Sequence, residues 1–225
     1  MKKVLKPLTL AAAVSAALVS GHVAAYEAGD WIVRAGATQV APDEDSSEVL
    51  LNGGGIGTEA EVDNNTQLGL TVEYMYTANW GIEVLAATPF SHTVSGKGGV
   101  LNGLDVADIE HLPPTVSAVY HFDTQGNLDP YVGVGINYTA FFSEDLASDT
   151  AGAVTTGDVD LDDSWGLALQ VGVDYQINEK WLVNASVRWI DIDTEAEIKF
   201  DNGAVAEVDV DIDPMVYSVM VGYKF

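Results

Sequence analysis

Three absences narrow the classes to which this 225-residue chain can belong. It has no cysteine, which excludes a disulfide framework and any thiolate metal site. It has nine Lys and Arg against 34 Asp and Glu, and this formal charge of −25 argues against nucleic acid as a partner, because duplex binding depends on basic side chains at phosphates. Beyond residue 25 no long run is free of both Gly and charge, so no transmembrane helix is predicted there.

The first 25 residues have the pattern of a cleaved secretory signal peptide. Three lysines come first, an apolar stretch from Leu8 to Val19 follows, and Val23 and Ala25 stand at the −3 and −1 positions of a cleavage site. The apolar stretch is too short for a permanent membrane helix. We therefore expect an exported protein whose mature part, residues 26–225, is one domain with six basic and 34 acidic residues.

Apolar and polar residues alternate along eight segments of the mature chain. In Ser164–Ile177 the odd positions from Trp165 onward are large and apolar, whereas the even positions are small or polar. This period of two predicts strands with two different faces. The other segments are Trp31–Ala37, Asn64–Tyr76, Trp80–Ala86, Val116–Phe122, Val132–Tyr138, Trp181–Trp189 and Tyr217–Phe225.

The connections between the segments alternate in length, as they do in outer-membrane barrels. Three are short and polar, and three are long and rich in Gly, Asp, Glu and Ser, namely Val40–Asp63, Ser91–Asp108 and Ser143–Asp163. We predict an all-β fold, an eight-stranded antiparallel transmembrane β-barrel of the bacterial outer membrane with short periplasmic turns and long extracellular loops. A soluble sandwich is the alternative, but it does not need a signal peptide and aromatic girdles together. The girdle candidates are Trp80, Trp165, Trp181, Trp189, Tyr223 and Phe225.

The two faces of the last two strands exchange polarity above the predicted membrane. From Phe225 to Asp213 a tilted strand climbs about 29 Å, the height of the apolar band, and beyond that point the acids occupy the outward positions. The inward row becomes apolar, which predicts either a lumen suited to an apolar solute or a packed core for a protruding tube. The predicted lining is Ile190, Ile192, Ile198, Phe200, Val208, Val210, Ile212, Val216 and Met220.

Ionisable residues lie deeper on the inward face. Buried charges must pair, so we expect an interior layer of salt bridges that plugs the periplasmic end or specifies strand register. A selectivity filter is the less favoured interpretation. The members of this layer are Arg34, Glu73, Glu83, Asp174, Arg188 and Lys224.

Three prolines are predicted to meet across the third and fourth strands. Pro89 lies nine residues after Trp80, and Pro113 and Pro114 lie nine and eight residues before Phe122. Because proline cannot donate to a β-ladder, we interpret these positions as a lateral seam in the wall or, alternatively, as a bulge that only shapes the loop.

The sequence predicts no enzyme, cofactor or metal. Ser91 and His92 are neighbours and point to opposite strand faces, and His111 and His121 are ten residues apart, so no catalytic constellation stands out. The acidic runs at 158–162 and 209–213 lack the spacing and glycine of a calcium loop. We interpret them as a solvated rim, with loosely bound divalent cations bridging to lipopolysaccharide as a secondary hypothesis.

Several blocks resemble the OmpW family of outer-membrane proteins. His111-Leu-Pro-Pro-Thr115 and Asp129-Pro-Tyr-Val-Gly-Val-Gly-Ile-Asn-Tyr-Thr139 carry the resemblance most specifically, and Gly222-Tyr-Lys-Phe225 is similar to the family's ending. The resemblance implies an eight-stranded barrel that takes up small hydrophobic molecules, as in its AlkL-like members, and releases them laterally into the membrane. The chain departs from the family in its Gly-rich, acidic segments Leu51–Glu61 and Ser143–Asp163.

The predicted function is passive uptake of small hydrophobic solutes through a narrow apolar lumen. The competing hypothesis is a structural or adhesive barrel with a solid core and partner-binding loops. Expected partners are outer-membrane lipids, lipopolysaccharide and the solute, without nucleic acid. Tyr223 and the terminal Phe225 resemble the signal that the barrel-assembly machinery reads, so that machinery is a predicted transient partner.

Overall fold

The computed structural model describes residues 26–124, 126–147 and 157–225, so the predicted signal peptide lies outside the described residues. Within these ranges the regular secondary structure consists of β-strands and one 3-10 turn at Gly99–Leu101. No helix in the described part is long and apolar enough to cross a bilayer. The strands are β1 (Trp31–Ala41), β2 (Asp45–Ser46), β3 (Leu50–Leu51), β4 (Gly54–Gly55), β5 (Glu59–Val62), β6 (Asn65–Met75), β7 (Trp80–Ala87), β8 (Phe90–Lys97), β9 (Asp105–Leu112), β10 (Thr115–His121), β11 (Leu128–Leu146), β12 (Gly157–Leu161), β13 (Ser164–Gln176), β14 (Trp181–Ile190), β15 (Asp193–Phe200), β16 (Val205–Asp211) and β17 (Met215–Lys224).

Eight antiparallel strands close into a barrel. Their order around the wall is β10, β7, β6, β1, β17, β14, β13 and β11, and the pairing of β10 with β11 completes the ring. The first and last strands lie side by side, with Ala35 opposite Val221. This confirms the predicted fold, since each alternating segment of the sequence is one strand of the wall.

The outer surface of the wall is apolar because the large residues of each strand point away from the lumen. On β13, Leu167, Leu169 and Val171 are between 51% and 58% exposed, whereas Gln170 between them is buried. Such a continuous exposed apolar surface requires a membrane around it. Aromatic pairs mark its two edges, with Trp31–Tyr74, Trp80–Tyr120 and Trp181–Tyr223 at one end and Tyr138–Trp165 at the other.

Above the membrane the wall continues as an extension made of two sheets. In one, the hairpin β15–β16 pairs with β12 on one side and with β2 and β3 on the other. In the other, the hairpin β8–β9 lies between β5 and the upper part of β11. On β15–β16 the pair Glu195–Asp209 is exposed and the pair Thr194–Val210 is buried, which is the exchange of faces that the sequence pattern indicates.

The three long connections above the barrel contain further β-structure that the sequence pattern does not predict. Segment 91–108 contains most of the hairpin β8–β9, and parts of 40–63 and 143–163 form β2 to β5 and β12. The alternation of apolar and polar residues is weak in these segments. Their outward face is solvated, and their inward positions include a polar residue, His92, and a small one, Ala107. The apolar period is therefore too weak to be read as strands.

The interior of the described barrel is layered from one end to the other. At the periplasmic end Tyr26, Ile32, Met75 and Leu182 form a small apolar cluster. Polar and charged side chains fill the middle, and a second apolar cluster closes the outer end beneath the extension. That outer cluster contains Val40, Phe90, Ala168, Ile190, Ile192 and Val216.

Candidate functional site

Two adjoining apolar cavities lie inside the extension. The inner cavity, next to the barrel, has a volume of about 70 Å³ and is lined by residues that include Val40, His92, His111 and Phe141. The outer cavity has a volume of about 260 Å³ and is lined by residues that include Leu51. The cavities share wall residues from six strands, so they follow one another along the axis of the tube. The shared residues are Ala60, Val94, Ile109, Leu161, Ala196 and Val208.

Six of the nine predicted lining residues bound these cavities. Ile192, Val210 and Ile212 line the inner cavity, and Ile198 and Phe200 line the outer one. Val208 borders both. Side chains alternate between the two faces of a strand, and β15 and β16 pair without a register shift. The inward direction therefore continues along the whole hairpin.

The other three predicted lining residues pack in the barrel below the cavities. Ile190 and Val216 belong to the outer apolar cluster, and each is at most 2% exposed. Met220 is also 2% exposed, and its Cε approaches Gly69 closely enough that a Cβ there would lie 2.9 Å away. Their inward direction is as predicted, but neither cavity wall includes them, since they lie too low on their strands.

Arg34 is the centre of the charged layer in the middle of the barrel. Its Nη1 lies 2.9 Å from Oε2 of Glu73 and 3.3 Å from Oε2 of Glu83, and its Nη2 donates to Oδ2 of Asp174 at 2.6 Å. Each of the four side chains is at most 2% exposed. One guanidinium therefore joins three carboxylates that come from three different strands, and the fork of five N–H donors suits it to this role.

Arg188 extends the layer across the lumen. Its Nη2 lies 2.8 Å from Oε1 of Glu83 and also contacts the amide oxygen of Gln170. Gln170 in turn donates from Nε2 to the same Glu83 oxygen at 3.1 Å. Paired charges and amides thus cross the interior at this level, leaving the lumen between the two apolar clusters filled with polar side chains.

Several members of this layer were not predicted from the sequence. His121 Nε2 lies 2.8 Å from Oε1 of Glu73, and Tyr26 donates its hydroxyl to Oδ2 of Asp174 at 2.6 Å. Asn184 donates from Nδ2 to Asp174 at 2.8 Å and to the Tyr131 hydroxyl at 2.9 Å. The inward parity of His121 was the available signal, but the sequence alone does not reveal which strands bring it to Glu73.

Lys224, in contrast, does not belong to the central layer. Its Nζ lies 3.7 Å from Oδ2 of Asp30, and its side chain is 15% exposed at the periplasmic rim. The flexible stem of lysine lets the ammonium reach the rim, where it stays hydrated. The prediction for this residue is therefore corrected, because the strand position is inward but the ammonium lies at the periplasmic end, 5.8 Å from the centroid of the Tyr26 ring, and not among the charges around Arg34.

The three prolines lie on the two sides of one break in the wall. β7 pairs with β10 as far as Leu85 and Thr115, and the next pairing along the same line is Phe90 with His111. Between these two points four residues on one side face three on the other without a ladder pairing, and this interval contains Pro89, Pro113 and Pro114. On the other side of the gap Pro114 stays attached to β11, since its carbonyl accepts from the backbone N–H of Tyr138 at 3.1 Å. Proline is therefore concentrated where the ladder is interrupted.

Two histidines stand in the wall of the inner cavity as part of a ring stack. The His92 and His111 rings have centroids 5.0 Å apart with planes at 23°, and Phe90 and Phe141 continue the stack on either side of His111. Burial holds the pKa of His92 below 6.5, and burial followed by the neighbouring His92 lowers the pKa of His111 to about 3. Both imidazoles are therefore mainly neutral at pH 7. The sequence reasoning missed this pair because it weighed each histidine only for catalysis.

Three carboxylates meet at the base of the extension. Asp191, Asp193 and Asp213 each offer an oxygen, and these oxygens lie within 4.8 Å of one another. Burial, followed by the charge of Asp191, raises the pKa of Asp193. The cluster belongs to the acidic outer face. Of the predicted acidic run at 209–213, it contains only Asp213.

The end of the chain lies at the periplasmic edge of the wall. Tyr223 packs against Trp181 and Phe225, and Phe225 is 71% exposed. The backbone N–H of Phe225 donates to the Trp31 carbonyl at 2.9 Å, which ties the last residue to the first strand. A role in recognition by the assembly machinery stays a prediction.

A closed eight-stranded wall with an outward apolar band and aromatic edges defines an integral β-barrel of the outer membrane. Residues 27–225 match the OmpW family model, and the chain belongs to the OmpW family. It is 48% identical over 215 residues to outer membrane protein W of Vibrio cholerae, a match that covers 95% of this chain and 96% of the relative.

Further relatives extend this comparison. The chain is 46% identical to OprG of Pseudomonas aeruginosa, whose crystal structure superposes with a TM-score of 0.83 and covers 90% of this chain and 99% of that one. It is 29% identical over 200 residues to the dibenzothiophene metabolism operon protein PahQ of Pseudomonas aeruginosa, which covers 88% of this chain and 90% of the relative. The predicted family and the outer-membrane location are thereby confirmed.

Proposed function

We propose that this protein is a passive channel by which small hydrophobic molecules cross the outer leaflet and leave laterally into the membrane. The observation that carries the proposal is the pair of adjoining apolar cavities, of about 260 and 70 Å³, that lead from the extension toward the barrel. An apolar solute gains about 25 cal/mol for each Å² of its surface that leaves water, so such walls favour its entry from the aqueous side.

The filled barrel interior makes a straight path to the periplasm unfavourable. Below the inner cavity a solute meets first the apolar cluster around Ile190 and then the layer centred on Arg34. Parting buried ion pairs leaves uncompensated charges, at a cost of about 3–5 kcal/mol for a single pair. A passive solute has no energy source to meet that cost, so exit through the side of the wall is favoured.

The break at Pro89, Pro113 and Pro114 is the proposed exit. It lies between the pair Leu85–Thr115 and the pair Phe90–His111, directly beneath the extension, and His111 also lines the inner cavity. Few ladder hydrogen bonds have to break for the strands to part there, because proline lacks the backbone donor. The seam therefore connects the level of the inner cavity with the apolar surroundings of the barrel.

The name of one relative supports an apolar solute. PahQ is named for a dibenzothiophene metabolism operon, and dibenzothiophene is a planar apolar molecule. We therefore place small hydrocarbons and small aromatic molecules together in the proposed solute class. Lipopolysaccharide around the acidic extension and the assembly machinery at Phe225 stay predicted partners.

A charge in the inner cavity tests the function directly. We expect Val210→Asp to lower the flux of toluene into protein-containing vesicles by about tenfold, because Val210 is 6% exposed and lines the cavity. Lys199→Gln changes the formal charge by the same amount on the exposed face of the same hairpin, and it should leave the flux unchanged. Equal flux in wild type and Val210→Asp, with the barrel folded, would favour the structural or adhesive alternative.

A further inference from the structure

The inner cavity contains one region that is not apolar. Of its lining residues, four carry polar groups, namely His92, His111, Thr139 and Thr194. The two threonine hydroxyls donate inside the protein, to Oδ1 of Asn137 at 2.7 Å and to the carbonyl of Asp162 at 2.8 Å. Both threonine protons are therefore engaged within the protein, and the hydroxyls keep only acceptor lone pairs. Among the described residues that line this cavity, His92 has a buried ring nitrogen without any hydrogen-bond partner.

The protein orients His92 so that a lone pair is left without a partner. Its Nδ1 lies 2.6 Å from the carbonyl oxygen of Asp63, and a carbonyl only accepts, so Nδ1 carries the proton. In a neutral imidazole the other nitrogen is then an acceptor. That nitrogen, Nε2, is buried and has no hydrogen-bond partner among the described residues.

His111 adds a second unused group beside the first. Its ring contacts are stacking contacts with Phe90, His92 and Phe141, and within the described part of the chain its nitrogens make no hydrogen bond. A buried polar group without a partner is unfavourable, and this loss is recovered when a ligand pairs with it. Nε2 of His92 therefore favours a solute that brings a hydrogen-bond donor into the apolar cavity, and His111 lies beside it.

The size of the cavity and the ring stack indicate the rest of the solute. The inner cavity, of about 70 Å³, is smaller than the apolar cavity of about 150 Å³ that holds benzene in another protein, but it adjoins the outer cavity of about 260 Å³. Together the two cavities have room for a single aromatic ring. The rings of His92, His111 and Phe141 line the inner cavity with centroid separations of 5.0 and 5.8 Å, so a planar ring meets aromatic side chains in this wall.

We propose that His92 and His111 make the inner cavity selective for a single aromatic ring that carries one hydroxyl or N–H group, a solute of the phenol class. The donor of the solute pairs with Nε2 of His92, and its ring packs against the rings of His111 and Phe141. This selectivity rests on the proposed channel function, because it assumes that solutes enter the inner cavity.

Phenol and toluene form a matched pair of probes, since a hydroxyl replaces a methyl group of similar size. Their binding to the full-length protein in lipid nanodiscs is measured by calorimetry for wild type and for the double variant His92→Phe, His111→Phe, which keeps two aromatic rings. We expect the affinity ratio of phenol to toluene to fall by about two- to tenfold in the variant, the range for one hydrogen bond. Thr93→Val, which removes a hydroxyl that lies outside the cavity wall and donates to Oδ1 of Asp108 at 2.8 Å, should keep the wild-type ratio.

The outcomes separate this inference from the function on which it rests. If toluene binds both proteins and the ratio is unchanged in the double variant, the selectivity is overturned and the channel stands. If neither probe binds wild type, the channel function itself fails. If the variant does not fold, the imidazole ¹⁵N shifts of wild type decide the matter: phenol should move the shift of His92 Nε2 more than toluene does, and equal shifts contradict the proposal.

Discussion

Arg34 and Asp174 are 140 residues apart in the sequence, yet Nη2 of the first lies 2.6 Å from Oδ2 of the second in the middle of the barrel. β1 and β13 are not neighbours in the wall, so the contact crosses the lumen. Such a contact closes the interior at the same time as it joins two sides of the barrel.

Removing Arg34 should destabilise the barrel strongly. Arg34→Met leaves the carboxylates of Glu73, Glu83 and Asp174 without their common partner, and we expect a loss of about 3–5 kcal/mol in the free energy of unfolding. Urea unfolding in lipid vesicles measures the change. Lys97→Met removes a basic side chain from the exposed surface of the extension and should cost less than about 1 kcal/mol. Similar losses for both variants would contradict a central role for Arg34.

Restoring a backbone donor at the seam should slow solute release. Pro89→Ala supplies an N–H at the break between β7 and β8, and we expect the toluene flux into vesicles to fall several-fold while the barrel stays folded. Pro130→Ala makes the same chemical change in β11, where the ladder to β13 continues past it with Pro130 opposite Val173. This control should keep the wild-type flux. An undiminished flux in Pro89→Ala would argue for a bulge that only shapes the hairpin.

Acid should destabilise the extension through its buried histidines. In the unfolded chain His111 titrates near pH 6.5, whereas in the folded protein burial lowers its pKa to about 3. Below pH 6.5 the unfolded state therefore binds more protons, and stability falls as the pH decreases toward 3. The contribution of His111 is a loss of about 2 kcal/mol at pH 5, since each pKa unit corresponds to about 1.4 kcal/mol.

The substitution His111→Phe separates the contribution of this histidine to the pH dependence of stability from that of the carboxylates. Limited proteolysis of the extension at pH 7.5 and pH 5 should show acid-induced cleavage in wild type and less additional cleavage in His111→Phe. The raised pKa of Asp193 acts in the opposite direction, because its protonation favours the folded state, and it is common to both proteins. Identical pH dependence in the two proteins would show that His111 is not the destabilising group.

A charge on the outer face of the wall should be costly only where the wall contacts lipid. Leu169 is 51% exposed near the middle of β13, and Leu169→Arg should lower the free energy of unfolding in vesicles by about 2–4 kcal/mol. Glu195→Arg places the same side chain on the exposed face of β15, above the membrane, and should change it by less than about 1 kcal/mol. Equal costs would place the apolar band elsewhere on the barrel.

A feature of this structure can be predicted from the sequence when it depends on residues that are close together in the chain. The wall strands are predictable because lipid outside and packed side chains inside impose a strict period of two, as in Ser164–Ile177. The inward directions of Val210 and Ile212 follow from the same period. The alternation does not specify the position of a residue along the barrel axis. Three residues predicted to line the cavities pack below them for this reason, namely Ile190, Val216 and Met220.

The sequence by itself determined which face of each wall strand meets lipid, since that depends on neighbours two positions away. Only the tertiary structure decided which charges meet, because Arg34, His121 and Asp174 come from strands that are separated both in the chain and around the wall. It also decided that His92 and His111 stack, since the pairing of β8 with β9 brings them together across the hairpin. Barrel closure and register, which alternation does not specify, created these contacts.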